Sequence, residues 1–193
     1  MTLPPDARPE VAGRADERRL IARAQAGDTA AFRQLVEQHQ ARAFALASRI
    51  LRSASDAEEV AQDAFVRVWT ALPGFRGEST FGTWLYRIVA RRAFDRAQVL
   101  KNRRARERQD ERLPEHAAPV RNDDTLRSAK LHELVAGLTP AQRAAVTLYY
   151  YEGRSVEEVA NVLGMPENTV KTHLLRARAA LRTAWTETMG DET

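Results

Sequence analysis

The chain has 193 residues, 44% of them hydrophobic, with 30 Lys or Arg against 26 Asp or Glu and a net charge of +4. That length allows one large domain or two small ones, each able to bury a core. It holds no cysteine, which excludes disulfides, thiolate metal sites and cysteine nucleophiles. No apolar run approaches the roughly 20 residues of a membrane span, and the opening MTLPPDARPE lacks the apolar core of a signal peptide, so a cytosolic protein is expected.

Residues 1–15 are rich in Pro and charge and are expected to be disordered. A short helix with Leu20, Ile21 and Ala24 ends near Gly27, and Asp28 caps a long helix that turns Phe32, Leu35, Val36, His39, Ala43, Leu46, Ala47 and Ile50 inward. His39 has no second liganding side chain at metal spacing, so a packed or edge histidine is expected rather than a ligand. Ser55 and Glu58 form a capping box for the next helix, which extends to about Ala71 and buries Val60, Ala64 and Val68. Its other face presents Glu59, Gln62, Asp63 and Val66. Without an identified partner, that is a solvated acidic face.

Gly74 and Gly77 break the chain, after which Phe81, Trp84, Leu85, Ile88 and Val89 follow helical spacing. Arg87, Arg91, Arg92 and Arg96 crowd the remaining surface. Arginines interleaved with aromatics stack on unpaired bases and neutralise phosphates in single-strand binders; most aromatics at this spacing are simply core, and Trp84 stays open between the two. From Arg76 to Arg108 there are ten Arg or Lys against three acids, Glu78, Asp95 and Glu107, whereas Asp56, Glu58, Glu59 and Asp63 make the preceding stretch acidic. A basic surface beside an acidic one implies two different partners.

From residue 99 to 125 the periodicity fails and Pro114 and Pro119 interrupt a charged run, which reads as a flexible linker. A second helical unit follows over 126–186, with a tail from 187. In it Leu131, Leu134, Val135 and Leu138 precede a capping box at Thr139, Pro140 and Gln142, opening a helix through Tyr151 that Gly153 ends. The three tyrosines Tyr149, Tyr150 and Tyr151 cannot share one helix face.

Residues 155–181, SVEEVANVLGMPENTVKTHLLRARAAL, have the form of a helix-turn-helix. Val156, Val159, Ala160 and Leu163 make the inner stripe of the first helix, capped by Ser155 with Glu158. Gly164 allows the sharp turn, and Pro166 suits the start of the second helix. There Val170, Leu174, Ala177 and Leu181 face inward, leaving Asn168, Lys171, Thr172, Leu175, Arg176 and Arg178 on or near a surface that fits a major groove. An ordinary hairpin with a solvated basic face is the plainer alternative; coincident caps, turn and charge favour DNA binding. No strand pattern occurs, so the fold class is all-α, two small helical domains joined by a flexible linker. There is no GxxxxGK phosphate loop and no HExxH, and the four histidines are scattered. Neither enzymatic activity, a cofactor nor a metal is expected.

The run DAEEVAQDAFVRVW, then FRGESTFGTWLYRIVARRAFD, a linker, and LTPAQRAAVTLYYYEGRSVEEVANVLGMPENTVKTHLLRARAAL resembles the extracytoplasmic-function (ECF) group of bacterial sigma-70 family sigma factors, over residues 18 to 185. The resemblance implies sigma region 2 over 16–98 and sigma region 4 over 126–186, in a transcription initiation factor that docks on RNA polymerase core, recognises the -35 and -10 elements of promoter DNA and helps open the duplex, in a stress or envelope response. It places Glu59, Gln62, Asp63 and Val66 at the polymerase, Trp84, Arg87, Arg91, Arg92, Asp95 and Arg96 at the -10 element, and Asn168, Lys171, Thr172, His173, Leu175, Arg176 and Arg178 on the -35 reading helix. It also implies a cognate anti-sigma factor. Many members carry Asn where this chain has Arg91; Arg holds phosphate strongly but lacks an amide's base-edge readout. A freestanding helix-turn-helix regulator and an adaptor mimicking a sigma domain are the other classes. The first has no use for the acidic helix, the second none for two basic faces.

Overall fold

A computed structural model describes residues 8–109 and 137–190, with side chains placed for 16–106 and 137–183. Among these residues all regular structure is helical. In the front unit Arg8–Gln25 is α1, Thr29–Leu51 is α2, Ala54–Ala71 is α3 and Phe81–Gln109 is α4, with a 3-10 turn at Leu72–Gly74. In the rear unit Pro140–Val146 is α5, running on into a π-helical turn at Thr147–Tyr151. Val156–Leu163 is α6 and Glu167–Gly190 is α7.

The caps follow the local chemistry, with one correction. Asp28 accepts from the N–H groups of Ala30 and Ala31 at 2.9 and 3.0 Å, satisfying donors the first turn of α2 leaves orphaned. At Thr139 and at Ser155 both halves of the capping box form. The cap of α3 is Ser53, whose hydroxyl accepts from Asp56 N–H at 3.2 Å, not Ser55. Arg52 explains the shift: its left-handed φ of 60° closes α2 and reverses the chain within one residue, so Ser53 already stands at the start of the next helix.

Three expected boundaries also move. Helix α1 begins at Arg8, inside the stretch read as disordered; Pro9 sits in the first turn, where its missing N–H is harmless, and the Ala, Glu and Arg residues that follow are strong helix formers. Helix α4 extends to Gln109, so 99–109 is helix rather than linker, because Val99 to Gln109 contains no Gly or Pro and consists mainly of residues with high helix propensity. The last helix reaches Gly190, past the boundary set at 186. The rest of the linker, the start of the rear unit at 126, and Leu131, Leu134 and Val135 lie outside the described residues.

Leu35, Ile50, Val68, Leu72, Phe81, Leu85, Tyr86 and Val89 fill the front unit and Leu148, Val159, Val162, Val170 and Ala177 the rear one, all nearly inaccessible. They form one continuous core, because the units pack together, α2 against α5 and α4 against α6. The Arg143 side chain is buried in this contact. Its Nε donates to the Ile50 carbonyl at 3.1 Å, and its terminal nitrogens donate to the carbonyls of Ile50 and Leu138. A guanidinium thus serves the open C-terminal end of α2, where cations are favoured. Burial, followed by repulsion from Arg52, lowers its pKa to about 10, which leaves it charged at neutral pH. Nearby, Arg154 donates to Thr83 Oγ1 at 3.2 Å and lies over the Tyr86 ring, and Arg49 stacks on Tyr151.

Candidate nucleic-acid interface

Helices α3 and α4 lie side by side, and their opposite charges meet. Arg92 Nε sits 2.6 Å from Asp63 Oδ2, which also accepts from Arg67 Nε at 2.9 Å. Arg96 bonds Asp56 at 2.7 Å through Nε and reaches Glu59 at 3.2 Å. The hydrogen bond from Arg67, with that from Arg92, outweighs burial and holds the Asp63 carboxyl below the usual carboxylate range. Burial alone would raise Asp56, but Ser53 and Arg96 outweigh it and its carboxyl is likewise lowered. The basic and acidic surfaces expected to serve separate partners are therefore partly joined: Arg92 and Arg96 point at α3, whereas Arg87 and Arg91 are exposed. Arg87 Nε donates to the Asn161 carbonyl of α6 at 3.0 Å. Asp95 is exposed and takes a 3.3 Å contact from Arg92.

Trp84 is half-buried, stacked on Phe75 at 4.8 Å with planes 28° apart and edge-on to Phe81 at 6.0 Å. Phe75 was not singled out from sequence, since it stands alone directly after Gly74 with no periodicity to mark it. His39 is packed as expected, with Nε2 2.8 Å from Glu17 Oε1.

On the outer side of α3, Glu59, Gln62 and Val66 are exposed and Asp63 half-exposed. Beside them Thr29, Phe32, Phe65, Val66 and Trp69 line an open apolar groove of about 300 Å³, with Phe32 tilted on Trp69 at 4.8 Å. Sequence periodicity missed this groove because its walls come from two helices: Phe32 reads only as part of the inner stripe of α2, and Phe65 and Trp69 only flank the inner stripe of α3.

In the rear unit Gly164 has the left-handed φ of 64° that the turn demands, and the Pro166 carbonyl accepts from Val170 N–H at 3.2 Å. Val170, Leu174 and Ala177 are buried while Asn168, Lys171, Thr172, Leu175, Arg176 and Arg178 are exposed. Lys171 pairs with Glu167 at 3.3 Å, and Thr172 Oγ1 donates to the Asn168 carbonyl at 2.8 Å. His173 lies apart from that face: it is half-buried, with Nδ1 enclosed and unpartnered.

A helix-turn-helix with an exposed basic second helix, joined to a second helical unit with its own cations, defines a DNA-binding protein of two all-α units. The sigma-70 region 2 family matches residues 35–105 and the sigma-70 region 4 family residues 128–181. The chain is 34% identical over 179 residues to the RNA polymerase sigma-H factor of Pseudomonas aeruginosa, covering 86% of this chain and 91% of that one. It is 34% identical over 174 residues to the ECF RNA polymerase sigma-E factor of Escherichia coli K12, covering 84% and 90%. Among solved structures, CnrH in complex with the cytosolic domain of CnrY aligns with a TM-score of 0.65 at 29% identity, over 89% of this chain and 98% of that one. The sigma factor RpoE in complex with the anti-sigma factor NepR from Bartonella quintana shares the fold, with a TM-score of 0.61 at 24% identity over 80% and 96%. The chain belongs to the ECF group of the bacterial sigma-70 family. It is an alternative sigma factor of RNA polymerase, and the freestanding-regulator reading is not favoured.

Proposed function

We propose that three faces of this sigma factor divide promoter recognition. The observation that carries the reading is the outward face of α7, where Asn168, Lys171, Thr172, Leu175, Arg176 and Arg178 are exposed together opposite a buried stripe. That face reads the -35 element in the major groove: Lys171 and Arg176 reach guanine edges or phosphates, and exposed Leu175 packs on a thymine methyl. His173 is a flanking contact.

Trp84, Arg87 and Arg91, spaced by three and four along α4, hold the -10 strand. Unstacking a base costs a few kcal/mol, and a tryptophan braced by Phe75 beside two arginines offsets that cost by stacking and phosphate neutralisation. Arg92 and Arg96 fix α4 on α3 through Asp63, Asp56 and Glu59, so their first role is to orient the platform, and Asp95 is held by Arg92. The acidic rim of Glu59, Gln62 and Asp63 around Val66 and the adjoining apolar groove is the face for core polymerase; apolar centre and charged edge are the usual build of a protein interface. Catalysis belongs to the polymerase, and the work is cytoplasmic.

We further propose an anti-sigma factor as partner, in a stress or envelope response; the similar CnrH was solved with the cytosolic domain of a second protein. Recovery from native cells of polymerase but never a stoichiometric inhibitor would remove this partner. The whole reading is tested by transcription from fragmented genomic DNA with core polymerase plus this protein, mapping RNA 5′ ends against core alone. Discrete starts sharing two upstream elements at fixed spacing are expected; no new starts would overturn it.

A further inference from the structure

Gln25 is the last residue of α1 and belongs to none of the faces assigned above. Its half-buried side chain donates from Nε2 to two backbone carbonyls of the segment between α3 and α4, Leu72 at 3.1 Å and Phe75 at 2.8 Å. We propose that Gln25 is a positioning residue for promoter opening: by fixing the backbone of Phe75 it fixes the ring on which Trp84 stacks. The inference rests on the reading of Trp84 as a contact of the -10 strand.

Both partners are carbonyl oxygens, so the amide must turn its nitrogen toward them, and that nitrogen has the two hydrogens required. The Leu72 carbonyl also accepts from Phe75 N–H at 3.0 Å. Phe75 is thus held on both sides, its N–H by the 3-10 turn and its carbonyl by Gln25. The local chain cannot set this direction by itself. Gly74 precedes Phe75, Gly77 follows with a left-handed φ of 74°, and 75–80 has no regular structure. Among the described residues no side chain of α2, α3 or α4 bonds the backbone from Leu72 to Phe75. The Phe75 ring then meets Trp84 at 4.8 Å and Phe81 edge-on at 6.3 Å, so one amide, one carbonyl and one ring join α1 to Trp84.

Docking of α1 does not need Gln25. Leu20, Ile21 and Ala24 are buried, and Glu17 meets His39 Nε2 at 2.8 Å, so substitution at Gln25 loosens the Phe75 segment and leaves the helix in place. The consequence falls on one step. Stacking on an aromatic ring contributes on the order of ten- to a hundredfold per unpaired base. A ring pair ordered in advance keeps more of that gain than one that must be ordered when the base arrives. Gln25 touches no DNA in this scheme; it acts on strand opening and not on duplex binding.

The test uses full-length protein assembled with core polymerase, on promoter fragments recovered in the transcription experiment. Opening is followed by the fluorescence of 2-aminopurine placed in the -10 element, over a range of holoenzyme concentrations that separates initial affinity from opening rate. Gln25→Met, close in length and helix propensity but without donors, is expected to open about five- to tenfold more slowly, with initial affinity and core affinity within about twofold of wild type. Gln25→Glu keeps the shape but turns an oxygen toward both carbonyls, and shows the same split. In a Phe75→Leu chain, Gln25→Met adds less than about twofold, because residues acting along one path are not additive. Unchanged opening by both Gln25 variants overturns the proposal. So does an effect of full size in the Phe75→Leu chain, or a defect accounted for by weaker core or initial binding. Trp84→Ala tells the two readings apart: if it opens promoters as wild type does, the reading of Trp84 has failed and Gln25 falls with it. Slow opening by Trp84→Ala beside normal opening by the Gln25 variants sinks Gln25 alone.

Discussion

At Arg176 a single contact separates base reading from charge. Its side chain is exposed on α7, with no acid bonded to it among the described residues. If it reaches a guanine edge bidentately, Arg176→Ala costs about 1 to 3 kcal/mol at one position of the -35 element; a loss equal on all sequences in a mutated-promoter binding series marks a phosphate contact. Asp63 gives a second prediction. Its folded carboxyl is held below the usual range by Arg67 and Arg92, so the stability it contributes is present above the unfolded pKa near 4 and is lost as pH falls through the lower folded value. Thermal melts between neutral and strongly acidic pH should decline less steeply for Asp63→Asn than for wild type.

Helix α3 raises a question at the scale of the element, because one face holds α4 while the adjoining one carries the acidic rim and the apolar groove. Asp63→Arg reverses a charge on that rim and places a cation against Arg67 and Arg92, so core-polymerase affinity should fall clearly while the isolated rear unit's DNA binding is untouched. Unchanged affinity in a polymerase titration would take α3 out of the interface. Helix α6 owes its start to Ser155, which accepts from Glu158 N–H at 3.1 Å while Glu158 returns a bond to Ser155 N–H at 2.9 Å. The Ser155 N–H, foremost, holds the Glu158 carboxyl below its ordinary value. Ser155→Ala should cost about 1 kcal/mol, read as a shift in the denaturant midpoint.

For the whole molecule, the docking of the two units decides what DNA can reach. Arg87 bonds the Asn161 carbonyl, so it must release α6 before it takes a phosphate. The contact turns on Arg143, whose guanidinium satisfies two carbonyls. Leaving a buried acceptor unpaired costs about 1 to 3 kcal/mol, which shifts the balance toward separated units. Small-angle scattering of Arg143→Ala should give a larger radius of gyration than wild type, with unchanged helix content by circular dichroism; an unchanged radius would show that apolar packing alone holds the units together.

The elements were legible because each is written in adjacent residues. Asp28, Thr139 and Ser155 cap within three positions, Gly164 turns one corner, and Val170, Leu174 and Ala177 mark one stripe by their spacing; the family follows from long motifs in order. The continuation of α4 to Gln109 was not legible, because a polar helix carries no apolar period and is supported by propensity alone. What depended on tertiary structure was pairing across distance: Arg92 with Asp63, Arg96 with Asp56, Phe32 with Trp69, and Arg143 with the end of α2. The sequence by itself determined which helices form and which face of each is apolar, since those are local consequences of side-chain period and capping. Only the tertiary structure decided which cations of α4 remain free for DNA and how the two units meet, because ion pairs and interfaces depend on which helices become neighbours.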